Sequence, residues 1–117
     1  MKYYSETADK DLRLALEAVV RAWPAVTARK MFGCPCYQAN GKLFALVVSG
    51  GVVITRPDES DRETLIKQFL AVPFQVEQST GVKNMKTWLR VPALTKIEVA
   101  KLLPYLRQSY EAALTEG

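Results

Sequence analysis

The sequence predicts an α+β fold: a two-layer sandwich in which three helices pack on a five-stranded antiparallel sheet, in the order α-β-β-β-α-β-β-α. Three observations carry that expectation. Apolar residues recur at helical spacing near both ends of the chain. The region between them holds short β-rich runs punctuated by Asn-Gly, Gly-Gly and Pro. Two Ser/Thr-x-x-Glu boxes mark where helices restart. With 117 residues there is room for one domain, residues 1–117, large enough to bury about two-thirds of its unfolded surface.

Leu12, Leu16, Val19, Val20 and Trp23 fall on one face of a first helix, and Glu6, Asp9 and Asp11 lie toward its start, where the helix dipole favours acids. Pro24 disfavours helical geometry in the residue before it, so the helix is expected to stop near Ala22 or Trp23. Residues 28–48 then read as a hairpin, because Asn40-Gly41 readily adopts the two positive φ angles of a type I′ turn, and Ala39 should face Lys42. Gly33 and Pro35 interrupt the first arm, which is expected to be one edge strand split by a bulge into residues 29–32 and 36–38. A tight turn at Ser49-Gly50-Gly51 leads into a third strand from Val52, and Pro57 ends the sheet segment.

Ser60-x-x-Glu63 reads as the capping box of a second helix with Leu65, Ile66 and Phe69 as its apolar stripe. After Pro73 two more strands are expected, joined by a Ser79-Thr80-Gly81 loop. In the second of them Met85, Thr87, Leu89 and Val91 alternate with Lys86, Trp88 and Arg90. Thr95-x-x-Glu98 is a second capping box, with Leu94 and Val99 spaced as its hydrophobic staple. Ile97, Ala100, Leu103, Leu106, Tyr110 and Leu114 give the buried face of the last helix, which Pro104 should kink or split. Strands 43–48 and 52–54 are apolar on both faces, whereas helices on one side of a sheet cover only one. The far face is therefore expected to meet a wrapping helix, a ligand or a second copy of the chain, with Phe44, Leu46, Val48 and Val53 as the dimer or partner surface.

Composition narrows function by exclusion. The chain has no histidine, which removes the commonest general base, the usual partner of a Ser or Cys nucleophile and the commonest metal ligand. Two cysteines are too few for a four-ligand zinc site. Cys34 and Cys36, two apart on a strand, fit a packing role, or a thiol-based redox sensor if one thiol is exposed and acidic. Ser49-Gly50-Gly51 lacks the spacing and lysine of a phosphate loop, and Asp58, Glu59, Asp61 and Glu63 are accounted for as acids at a helix start. No catalytic residue, cofactor or metal is expected, and the chain is not expected to be an enzyme. No apolar run approaches the roughly 20 residues a bilayer requires, and residues 1–10 lack a signal peptide's apolar core, so a cytoplasmic protein without membrane association is expected.

Sixteen Lys and Arg against twelve Asp and Glu give a net charge of +4, which permits an anionic partner without specifying one. Lys86, Trp88 and Arg90 would present two cations and a ring on one strand face, a mixture suited to phosphates and bases, and Lys83 extends it. Arg29 and Lys30 join that stripe if their strand lies near. Non-specific nucleic-acid binding through these residues is the alternative to a solvated face in which Lys and Arg stems shelter the Trp.

Arg29-Lys30-Met31-Phe32-Gly33-x-Pro35, followed by Asn40-Gly41-x-x-Phe44-Ala45, resembles the N-terminal domain of the TfoX/Sxy family. The similarity continues through Asp61-Arg62-Glu63-x-Leu65, Pro73-Phe74, Met85-Lys86-x-Trp88-x-x-x-Pro92 and Leu106-x-x-Ser109-Tyr110, spanning nearly the whole chain from Leu12 to Leu114. The resemblance implies an α+β fold of the kind shared with secretion chaperones. It also implies a non-catalytic interaction domain of competence regulators, here without the helical, nucleic-acid-binding-like domain that follows it in the family's best-known members. Cys34 and Cys36 stand where many members have Gly or other residues. The expectation is thus a homodimeric regulatory domain acting in transcription through an unidentified protein partner.

Overall fold

The structure, a computed structural model, describes residues 3–78 and 81–116, and the side chains of residues 77–78 and 82–86 lie outside that description. Three helices and six strands follow in the order α1 (Glu6–Val20), β1 (Val26–Met31), β2 (Cys34–Ala39), β3 (Lys42–Val48), β4 (Gly51–Ile54), α2 (Glu59–Phe69), β5 (Val72–Gln78), β6 (Gly81–Pro92) and α3 (Lys96–Thr115). All pairings are antiparallel, in one sheet of order β1-β2-β3-β4-β6-β5. The α+β class stands, with six strands where five were expected.

The additional strand comes from the segment read as one bulged edge. Phe32-Gly33 is a two-residue hairpin connection: Met31 pairs with Cys34, and both connecting residues have positive φ, 56° and 76°, as a type I′ turn requires. Pro35 is tolerated inside β2 because β3 pairing begins only at Cys36, opposite Leu46. The Asn40-Gly41 turn forms as read, with φ of 51° and 78° and Ala39 opposite Lys42. Gly51 is required for another reason: a Cβ there would lie 2.7 Å from the Val91 carbonyl oxygen, so β4 and β6 could not approach. The loop expected at Ser79-Thr80-Gly81 falls at residues 79–80, outside the described residues.

Helix ends show which of several local signals wins. α1 stops at Val20, three residues before Trp23. α2 is capped by Asp58, whose carboxylate accepts the Asp61 N–H at 2.7 Å, and not by Ser60. Asp58 follows Pro57 in extended backbone, the geometry an N-cap needs, and Glu63 bonds Lys67 at 2.6 Å instead of reaching back. The Thr95–Glu98 box closes in both directions, each bond 3.2 Å. α3 runs on through Pro104 without splitting. It carries two apolar stripes, and packing selects Val99, Leu102, Leu106, Ser109, Tyr110 and Ala113, leaving Ile97 71% exposed.

Register sorts the sheet into two faces. Tyr37, Ala45, Ile54 and Leu89 form a row across β2, β3, β4 and β6, all fully buried. α1 and α3 lie on this side, where the Tyr37 hydroxyl donates to Glu17 at 2.8 Å and the Ser109 hydroxyl donates to the Phe44 carbonyl at 2.8 Å. Phe44 has no cross-strand partner in β2, since Tyr37 faces Ala45 and Gln38 faces Leu43. That bulge sets its ring among the helices, 5.5 Å from Tyr110 and 6.2 Å from Trp23. The next row, Cys36, Leu46, Val53 and Arg90, belongs to the opposite face. Among the described residues no helix is long and apolar enough to cross a membrane.

Candidate functional site

The face turned away from α1 and α3 is apolar yet closed: Cys34, Cys36, Leu46, Val48 and Val53 are all at most 2% exposed. Four aromatic rings complete the cover in a circuit. Tyr3 meets Phe32 at 6.4 Å, Phe32 meets Trp88 at 6.5 Å, Trp88 stacks on Phe74 at 6.3 Å, and Phe74 meets Tyr3 edge-on at 5.8 Å. The rings come from the N-terminal segment, the β1–β2 turn, β6 and β5. Tyr3 is fastened by its carbonyl, which accepts the Ser49 N–H at 2.8 Å. The Asp9 carboxylate braces the same junction, accepting the Ser5 N–H at 2.8 Å and the Ser49 hydroxyl at 2.7 Å.

Phe32 is the exposed corner of the circuit, at 43%. A bulky side chain at φ 56° is unfavourable in a position that Asn or Gly fills without strain. The chain thus keeps a strained phenylalanine partly in water and in contact with Tyr3 and Trp88. Beside the circuit lies an open cleft of about 630 Å³, walled by Tyr3, Phe74, Val72, Gln75, Arg62 and Arg90. Arg90 donates to the Ser49 carbonyl at 2.7 Å, and neither arginine forms an ion pair with a described residue. Aromatic rings and guanidinium groups together are the composition of protein-binding hot spots.

The residues expected from sequence are redistributed. Phe44 sits among the helices, while Leu46, Val48 and Val53 lie on the opposite face, all buried within one chain. They offer no dimer or partner surface, because the far face is covered by the chain's own aromatics. Cys34 and Cys36 are buried too, and burial pushes the Cys34 thiol up to about 11 and raises that of Cys36. The exposed, acidic thiol that a redox sensor needs is therefore not present at either position. In the basic stripe, Trp88 has one ring face taken by Phe74, and Arg90 gives one guanidinium N–H to the Ser49 carbonyl and keeps the others. The side chains of Lys83 and Lys86 lie outside the described residues. Among the described residues no group of three or more His, Cys, Asp or Glu is placed to hold a metal ion.

Tyr3, Phe32, Phe74 and Arg62 were not singled out as site residues from sequence. Phe32-Gly33 carried the one usable signal, since an x-Gly pair between two β-rich runs is a hairpin connection. The circuit itself joins residues up to 85 positions apart and leaves no local pattern.

Neither comparison with curated proteins nor comparison with solved structures finds a match. The family model for the TfoX N-terminal domain matches residues 18–113, which takes in every strand and most of α3. It spans the Phe32-Gly33 turn, Phe74 and Trp88, and with that coverage the chain belongs to the TfoX N-terminal domain family.

Proposed function

We propose that this chain is a non-catalytic interaction module that acts in transcription regulation, in the manner of the competence regulators of its family, by contacting a protein partner. The observation that supports this reading most is the strained, half-exposed Phe32 at the corner of the Tyr3–Phe32–Trp88–Phe74 circuit, whose Tyr3 and Phe74 share a cleft with Arg62 and Arg90. Rigid rings fixed by strands and turns lose little entropy on binding, and they pair apolar area with the guanidinium groups beside them.

The test is a transcript profile of cells expressing the wild-type chain, set against cells expressing Phe32→Asn at matched level and matched folding by circular dichroism. The wild type should alter a defined set of transcripts, and the variant should lose most of that change. A profile that wild-type expression leaves unmoved sinks the regulatory reading. Retention of the full response by Phe32→Asn removes the circuit as its contact surface.

A further inference from the structure

We infer that the cleft beside β5 seats an acidic, extended peptide segment of the protein partner, its carboxylate held by Arg62 and Arg90. The inference rests on the interaction reading above and adds the partner's chemistry to it. Charge is the first argument. Among the described residues, those lining the cleft include two guanidinium groups and no carboxylate. Arg13, Arg56, Lys67 and Arg107 each hold a carboxylate, whereas Arg62 does not, and Glu63 beside it in α2 is bonded to Lys67 at 2.6 Å. Guanidinium forks donate two parallel N–H bonds to a carboxylate, so two of them facing one cleft, neither holding a carboxylate of a described residue, select that ligand.

The edge of the sheet is the second argument. β5 is the last strand in the sheet order, and among the described residues one of its sides has no strand neighbour. Val72 is 50% exposed and Gln75 is exposed, so an extended segment can lie along the strand with an apolar side chain against Val72. Pro73 and the register break between Pro73 and Phe74 keep that pairing short, which suits a peptide motif better than an added sheet. The same two arginines would also attract phosphate. The ring faces that a nucleic acid would need for its bases are engaged with each other in the Phe74–Trp88 stack, which favours the peptide.

The test is an amide ¹H–¹⁵N spectrum of the full chain titrated with a short capped peptide of alternating Glu and Val. The same titration is run with its Gln and Val analogue and with a thymidine oligonucleotide. The Glu peptide should shift the amides of Tyr3, Arg62, Val72, Gln75 and Arg90, and the Gln analogue should not. Arg62→Gln should weaken the binding by about tenfold or more while leaving the rest of the spectrum in place. Arg62→Lys, which keeps the charge without the fork, should fall between. Absence of cleft shifts at ~5 mM peptide overturns the inference, since it excludes even a weak motif contact. Equal shifts from the Gln analogue, or tighter binding of the oligonucleotide in the cleft, overturn it as well. Should the cleft fail while Phe32→Asn still abolishes the transcript response, this assignment falls alone and the interaction module stands.

Discussion

Phe32 allows the strain argument to be tested separately from the contact argument, by comparing Phe32→Asn with Phe32→Ala. Holding a non-glycine side chain at φ 56° costs roughly 1–2 kcal/mol, of which Asn recovers about 1 kcal/mol and Ala almost none. Both variants lose the ring contacts with Tyr3 and Trp88, at 6.4 and 6.5 Å, each about 0.5–1.5 kcal/mol when sheltered. Because Phe32 is 43% exposed, the two contacts together are discounted to about 1 kcal/mol. Phe32→Asn should then be nearly neutral, while Phe32→Ala should lose about 1 kcal/mol. The two variants should differ in urea midpoint by about 0.5–1 M at unchanged slope. If Ala proves as stable as Asn, the turn is not strained and the argument that Phe32 is kept for its surface fails. If Asn loses more than about 2 kcal/mol, the ring is core rather than an exposed corner, and the surface reading fails on that ground.

Three further outcomes follow from the geometry. Ser109→Ala should destabilise by about 2 kcal/mol, or roughly 8 °C in Tm, because the fully buried Ser109 oxygen accepts the Arg56 N–H at 3.1 Å. The Phe44 carbonyl it also serves keeps its bond from the Thr55 N–H at 3.2 Å, so a loss far above that figure would refute the accounting. Iodoacetamide near neutral pH should leave Cys34 and Cys36 unmodified in the folded chain and label both in urea, by mass spectrometry, since burial raises both thiols. Arg13 and the Tyr4 hydroxyl hold the Glu6 carboxyl down to about 2 from its ordinary 4.5. That contribution is complete above the unfolded value and is lost as pH falls through about 2. A ¹³C carboxyl titration should show the low midpoint and its return toward 4.5 in Arg13→Gln.

Where a signal was local and single, the sequence was legible. Asn40-Gly41 set its turn and register, and Thr95 with Glu98 set the start of α3, because each depends on residues within four positions. Where two local signals competed, the long-range contact decided. Asp58 displaced Ser60 as a cap because its backbone is extended and its carboxylate reaches the Asp61 N–H. Val99 and Leu102 displaced Ala100 and Leu103, while Leu106 and Tyr110 kept their places, because α3 had to meet β2 and β3. Phe32-Gly33 was misread because Phe is a poor type I′ residue, and a propensity argument sends it to a bulge. The same misfit is what marks the position as unusual once the turn is seen. The two-faced apolarity of β3 and β4 was legible, but what covers the second face was not. The cover draws one ring from each of four segments, and no window of sequence contains more than one of its neighbouring pairs.

The position of the cover explains why a surface that closes the core can also serve as a contact. A helix laid over the second face would bury it and leave a polar outer side to the solvent. Four rings bury the same strands but leave their own outer edges as the surface, so the apolar character of the core reaches the exterior at Phe32. Tyr3 joins that surface to the cleft, since it touches Phe32 and Phe74 and also lines the cleft together with the arginines. Its place is fixed through Ser49, whose carbonyl in turn holds Arg90, so one turn residue sets both the ring and the cation. Apolar contact at the circuit and charge in the cleft are thereby held in a fixed relation before any partner arrives, and a ligand that satisfies one is already aligned with the other.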